Sequence, residues 1–326
     1  MKNIIAGLAL SLLCSVAISA EDIIMPDWAY PPRDRAGGGG GGGGDGDGEV
    51  DETLYSVPGS TRQLMSSQTG AMYGGIEDWF PERHGPMPEI VSQGRRPDAR
   101  ACAMCHLTSG LGHPSGGMAA GMSPEYFFQQ VKDFASGART AVDPERTRGM
   151  MRVASALTDA EIRDAAEYYA RQTPSKWVEV IESEMAPQTF IGGGNMRHVL
   201  PDGEMEPLGQ RIVEVAADFE RTELNDPYSG FIAYVPVGSI EKGEELVTTG
   251  GGKTLPCGVC HGPDLKGLGN VPGLAGRLPT YNTRQMLDMK QGTRNGAGAA
   301  LMMPVLANLA LDDIINITAY TASLDP

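Results

Sequence analysis

Beyond about residue 120 the apolar positions fall into helical and extended registers. Tyr126, Phe127, Val131 and Phe134 recur at helical spacing, as do Ile162, Ala165 and Tyr168, and later Ile314, Ile317 and Tyr320. Ser123 ahead of Pro124 predicts a capped helix start with proline at the first helical position, and Gly137 predicts its end. Two further helices are predicted to begin near Thr158 and Leu311, each with acids in its first turn, where they complement the helix dipole. Between these helical stretches, Trp177–Ile181 and Gly230–Val235 read as strands, and Pro187, Pro201, Pro207 and Pro227 break up the segment around them.

The helical stretches are two copies of one unit. A shift of 155 positions carries Cys102, Cys105 and His106 onto Cys257, Cys260 and His261. The same shift carries Pro124, Tyr126, Gln130, Asp133, Gly137 and Arg139 onto Pro279, Tyr281, Gln285, Asp288, Gly292 and Arg294. A shift of 152 then aligns Met150, Leu157, Ile162 and Tyr168 with Met302, Leu309, Ile314 and Tyr320. The predicted fold is mainly α, with two tandem helical domains joined by a partly β connector. The expected boundaries are 61–173 for domain 1 with an N-terminal extension, 174–236 for the connector and 237–326 for domain 2.

The N-terminal end changes the picture of where the chain works. Residues 1–20 place Lys2 before an apolar run from Ile4 to Ile18 and end in Ser19-Ala20, the pattern of a cleavable secretory signal peptide. No later segment offers eighteen consecutive apolar residues, so no transmembrane segment is predicted and the expected location is the periplasm. Leu12-Leu13 before Cys14 does not supply the small residue that a lipoprotein signal places there. Residues 21–60 include eight consecutive glycines, Gly37 to Gly44, and are expected to form a flexible tether.

Forty-four glycines and only seven phenylalanines in 326 residues imply small cores that something besides side chains fills. The formal charge of −15 argues against nucleic acid or an anionic membrane surface as a partner and toward a protein with a basic docking face. Removal of the signal peptide would leave Cys102, Cys105, Cys257 and Cys260 as the only cysteines.

Those four cysteines carry the chemistry. Cys102-Ala-Met-Cys105-His106 and Cys257-Gly-Val-Cys260-His261 are both C-x-x-C-H, the attachment pattern of a c-type haem. Two thiols three positions apart on one helical turn suit the two vinyl groups of one haem, and the adjacent imidazole suits its iron. A zinc ribbon would bring its two CxxC pairs much closer in sequence, and neither local disulfides nor a redox dithiol accounts for a histidine after both pairs. An iron that exchanges electrons without binding substrate needs a sixth ligand, commonly methionine. Met150-Met151 and Met302-Met303 stand ready, each pair just before the last helix of its unit. His84, His113 and His198 are weaker alternatives, with an ordinary structural histidine as the default reading.

On these motifs, across roughly residues 86–173 and 237–326, the chain resembles the class I cytochromes c, particularly the periplasmic dihaem cytochromes of the c4 type. The resemblance implies two covalent haem c groups, each with iron held by histidine and methionine, and single-electron transfer between redox partners. The family places its methionine seven positions before the leucine leading into the last helix, which selects Met150 and Met302 and leaves Met151 and Met303 one position away as alternatives. It also implies that the Pro272 carbonyl meets the second ring nitrogen of His261. The first unit departs from the pattern, with Leu107 where the second has Gly262 and Gly117 where it has Pro272. Arg139, Arg294, Tyr126 and Tyr281 are candidates to hold haem propionates, set against a plain surface role. The function expected is an electron carrier. The alternatives are a cytochrome subunit of a membrane-bound oxidase or dehydrogenase complex, or of a periplasmic one, and a dihaem enzyme such as a peroxidase.

Overall fold

The computed structural model describes residues 24–31, 52–192 and 195–326. The expected signal peptide and the run of glycines lie outside the described residues.

The first unit opens with two single-turn helices, α1 (Ser66–Thr69) and α2 (Glu89–Ser92), and carries its CxxCH on α3 (Ala103–His106). It continues through α4 (Pro124–Ser136), α5 (Glu145–Ala156) and α6 (Asp159–Ala170). The local code works as the chain pattern implies. Ser123 Oγ accepts from the Tyr126 amide, Pro124 occupies the first turn, and Gly137 closes α4 at φ 80°. Thr158 and Glu161 cap α6 reciprocally.

The connector contributes β1 (Val178–Glu182), β2 (Met185–Pro187), β3 (Thr189–Ile191), β4 (Arg197–Val199), β5 (Met205–Pro207), β6 (Val213–Ala216), α7 (Phe219–Glu223) and β7 (Phe231–Val235). Five of these strands form one sheet in the order β1-β7-β6-β4-β3, with β1 and β7 parallel and β6 and β7 antiparallel. β2 and β5 form a separate antiparallel ribbon. The second unit follows as α8 (Ser239–Thr249), α9 (Gly258–His261) with the second CxxCH, a two-stranded β8 (Gly267–Leu268) and β9 (Val271–Pro272), then α10 (Pro279–Lys290), α11 (Ala297–Leu306) and α12 (Leu311–Ser323). α3, α4, α5 and α6 thus recur as α9, α10, α11 and α12.

α8 crosses α12 closely, and Gly243 makes that possible: a Cβ there would lie 2.1 Å from the Asn316 carbonyl oxygen of α12. In the first unit the corresponding partner of α6 is the single turn α2. The sheet does not stand apart from the helices. Trp177, Val178, Ile212 and Phe231 share one buried cluster with Leu107 and Leu111 of the first unit and Leu278, Ile315 and Ala319 of the second. The Trp177 indole also donates to the Gly112 carbonyl at 3.0 Å. Glu214 on β6, 2 % exposed, accepts from the Thr280 amide at 3.1 Å and so caps α10 from another part of the chain.

The described parts of residues 21–60 differ from a flexible tether. The Ile24 amide and carbonyl both bond the Gln291 side chain, Tyr30 donates to Asp288, and Arg284 and Arg146 donate to the carbonyls of Ala29 and Pro31. Val57 buries with Leu64, Trp79 and Phe80 of the first unit's N-terminal extension and with Leu224 of the connector. The pattern did not announce this packing because the polar contacts of residues 24–31 reach partners more than a hundred residues away.

Candidate functional site

Each CxxCH forms one helical turn with the first cysteine at its N-cap, which puts both thiols on one side and the imidazole just beyond. The ring of His106 is fixed by its Nδ1, 3.0 Å from the Gly117 carbonyl oxygen, and that of His261 by its Nδ1, 2.7 Å from the Pro272 carbonyl oxygen. With Nδ1 as donor, Nε2 keeps its lone pair. Burial holds both histidines below the ordinary value, so the imidazoles are neutral. His261 Nε2 is buried with no hydrogen-bond partner. Such an orphan is costly unless a partner meets it, and a metal such as iron can accept its lone pair.

Gly117 does the work of Pro272 in the first unit, because the accepting atom belongs to the backbone and not to a side chain. Its glycine identity has a separate cause. Gly117 sits at φ 58°, and a Cβ would fall 2.6 Å from Cζ of Tyr281 in the second unit. Leu107 likewise adopts φ 62°, where the second unit has Gly262 at φ 85°. A non-glycine residue there carries strain, offset here by burial of the leucine in the shared cluster.

His106 opens onto a cavity of about 610 Å³ that Cys102, Cys105 and Met150 also line, a size in the range of roughly 300–1,000 Å³ typical of small-molecule and cofactor clefts. Met151 is not on its wall. In the second unit Met302 packs on the same core cluster as Cys257, while Met303 is 37 % exposed. Burial pushes the Cys102 thiol up to about 12 and that of Cys257 to about 11, opposite to the depressed values of a redox-active dithiol. The neutral imidazoles, paired cysteines and cavity fit a covalent haem.

The other histidines separate clearly. His84 has both nitrogens engaged, Nε2 with Asp78 at 2.8 Å and Nδ1 with the Gly85 carbonyl at 2.7 Å. His113 lines the first cavity, where burial first and the neighbouring His106 second lower it to about 4. His198 is buried in the connector between Phe190 and Phe219.

Arg139 and Arg294 are buried, not plain surface residues, and they interlock the two units. Arg139 donates to Gln130 of its own unit and to Tyr281 and Gln285 of the other, at 2.8–2.9 Å. Arg294 mirrors it with Gln285, Tyr126 and Gln130 at 2.8–3.0 Å. Arg139 Nε remains buried without a partner on the cavity wall. The matched Tyr, Gln and Arg of the repeat were the sequence signal for this interlock. The connector's role at the first cavity had no such signal: Asn195, Met196, Thr222, Glu223 and Asn225 form part of its wall.

Two repeated helical units, each presenting paired cysteines beside a neutral, oriented histidine, define a dihaem c-type cytochrome. No protein-family model matches the sequence. The chain is 36 % identical over 87 residues to cytochrome c-554(548) of Halomonas halodenitrificans, covering 96 % of that protein and 26 % of this chain. It is 24 % identical over 230 residues to cytochrome c4 of Pseudomonas aeruginosa, covering 85 % of that protein and 69 % of this chain. It is 29 % identical over 213 residues to the thiosulfate dehydrogenase electron acceptor of Thiomonas intermedia, covering 71 % of that protein and 64 % of this chain. The chain belongs to the c-type cytochromes and is a dihaem electron-transfer cytochrome similar to the cytochrome c4 proteins. Among the described residues no single helix is long and apolar enough to cross a membrane.

Proposed function

We propose that Cys102 and Cys105 attach one haem and Cys257 and Cys260 the other, within units spanning 61–173 and 237–326. His106 and Met150 would hold the first iron, and His261 and Met302 the second. The observation that carries this reading is the pair of oriented histidines, each with Nδ1 on a backbone carbonyl and Nε2 left for a metal. When bound, each haem would supply reversible one-electron exchange. The chain's own residues fix the imidazoles, line the first cavity and hold the two units together through Arg139 and Arg294.

The test is a redox titration with optical and magnetic spectra of the wild type, Met150→Ala and Met302→Ala. Each variant is expected to lose methionine ligation at one haem and to lower that haem's potential. Unchanged spectra would move the ligand to Met151, Met303 or a histidine.

The carrier works in the periplasm after export and receives electrons from a dehydrogenase through a basic docking face on the partner. The name of the Thiomonas relative favours a thiosulfate dehydrogenase as that donor. Purified carrier should be reduced by such an enzyme in the presence of thiosulfate, at a rate that falls with added salt. Failure of reduction would remove this donor, and a salt-independent rate would remove the basic face.

A further inference from the structure

The negative charge of this chain is unevenly placed. Residues 174–236 hold eleven Asp and Glu against Lys176, Arg197, Arg211 and Arg221, a net of seven negative charges. Residues 61–173 hold thirteen acids against twelve bases, and residues 237–326 hold eight against seven. The haem-binding units are nearly neutral, and within the described part of the chain the acidic surface belongs chiefly to the connector.

The connector also exposes apolar side chains beside that charge. Phe190 is 38 % exposed, Phe219 is 50 % and Leu200 is 37 %. Their placement is shared. Phe190 opposes His198 on the β3–β4 ladder, and the Leu200 amide donates to the Gln188 carbonyl one step further, so the alternation of the strands puts Gln188, Phe190, His198 and Leu200 on one face. Phe219 on α7 closes over the same face, its ring centroid 4.7 Å from that of His198 and 6.5 Å from that of Phe190. Exposed acids border it. Glu220 follows Phe219, Asp202 and Glu204 follow Leu200, and the Glu204 amide donates to the Gln188 side chain at 3.3 Å.

What lies behind this face gives it a purpose. Thr222 and Glu223, one turn along α7 from Phe219, line the first cavity, as does Met196 just before β4. Glu223 Oε1 stands 3.7 Å from His198 Nε2. An aromatic and apolar patch is therefore joined through His198 and Glu223 to the wall of the first cavity.

We infer that this face of the connector, Phe190, Leu200 and Phe219 ringed by Asp202, Glu204 and Glu220, is the docking surface for a basic redox protein that exchanges electrons with the first haem. The inference rests on the reading of a basic partner and adds its location. An apolar centre with a charged rim is the usual anatomy of a transient interface, and the opposite sign on the partner steers the encounter.

The test uses the full holoprotein and a reduced, lysine-rich monohaem cytochrome c as probe, with stopped-flow measurement of the second-order rate constant. The triple variant Asp202→Lys, Glu204→Lys, Glu220→Lys should slow the reaction about ten-fold at low salt. The gap should close as salt rises, since the Debye length falls from about 30 Å at 0.01 M to about 8 Å at 0.15 M. A matched reversal in the second unit, Glu244→Lys, Glu245→Lys, Asp312→Lys, changes the net charge equally and should stay within about two-fold of the wild type. Both variants should keep the haem spectra and midpoint potentials of the wild type. Zero-length carboxylate-to-lysine cross-linking of the wild type should place its links at residues 202–220. Equal slowing by the two triple variants, or links confined to the second unit, would overturn the location. A salt-independent wild-type rate would overturn the basic partner itself.

Discussion

Glu214 gives a prediction whose size follows from the structure. Its carboxyl is 2 % exposed on β6, with one oxygen accepting from the Thr280 amide and the other buried without a partner. Burial is the main cause that raises it from 4.5 to about 7. A raised carboxyl value means that the folded protein holds this proton more tightly than the unfolded chain. Its contribution to stability is therefore fully present below about pH 4.5 and is lost as pH rises to about 7. At about 1.4 kcal/mol per unit, the loss comes to about 3 kcal/mol across that window. Glu214→Gln keeps the shape and the acceptor for Thr280 but cannot ionise. Urea unfolding of the two holoproteins, measured side by side between pH 4.5 and 8, should show the variant gaining on the wild type by about 3 kcal/mol as pH rises. A difference that is flat with pH would refute the reasoning, because every other titrating group cancels in the comparison.

Gly243→Ala should push α8 from α12, since the new methyl would sit 2.1 Å from the Asn316 carbonyl oxygen. A loss of about 1–3 kcal/mol in urea unfolding is expected, with the spectrum of the second haem affected before that of the first. Gly117→Ala combines φ 58° with a clash on the Tyr281 ring and should cost about 1–3 kcal/mol. It should also loosen the bond between Tyr281 and Arg139, visible as faster amide exchange at the junction of the two units.

Much of the helical architecture was legible because its signals are local. Ser123, Pro124, Gly137 and Thr158 act within a few residues of the ends they define, and the repeat exposed the two CxxCH turns at once. The strands at Trp177–Ile181 and Gly230–Val235 were also readable as strands. Their parallel pairing was not, since the register of β1 against β7 spans some fifty residues and depends on a core supplied by both units. The arginines illustrate a further limit. A buried guanidinium needs several acceptors, but the sequence does not say whether a propionate or the other repeat provides them; the structure shows Tyr126, Gln130, Tyr281 and Gln285 doing so. Residues 24–31 were misread for a similar reason. Their neighbourhood in the chain is rich in glycine, while their partners, Gln291, Asp288 and Arg284, come some 250 residues later.

The composition of the first cavity sets an order of events. Its walls combine α3 with the connector residues Thr222 and Glu223 and with Tyr281, Arg284 and Asp288 of α10. Cys102, Cys105 and His106 precede those later walls in the chain by more than a hundred residues. The first site is thus completed only when residues 175–326 have folded, although Cys105 stays exposed and Cys102 half-buried in the folded chain. Folding of residues 175–326 therefore governs when a haem attached at the first CxxCH would be shielded, not whether its thiols can be reached.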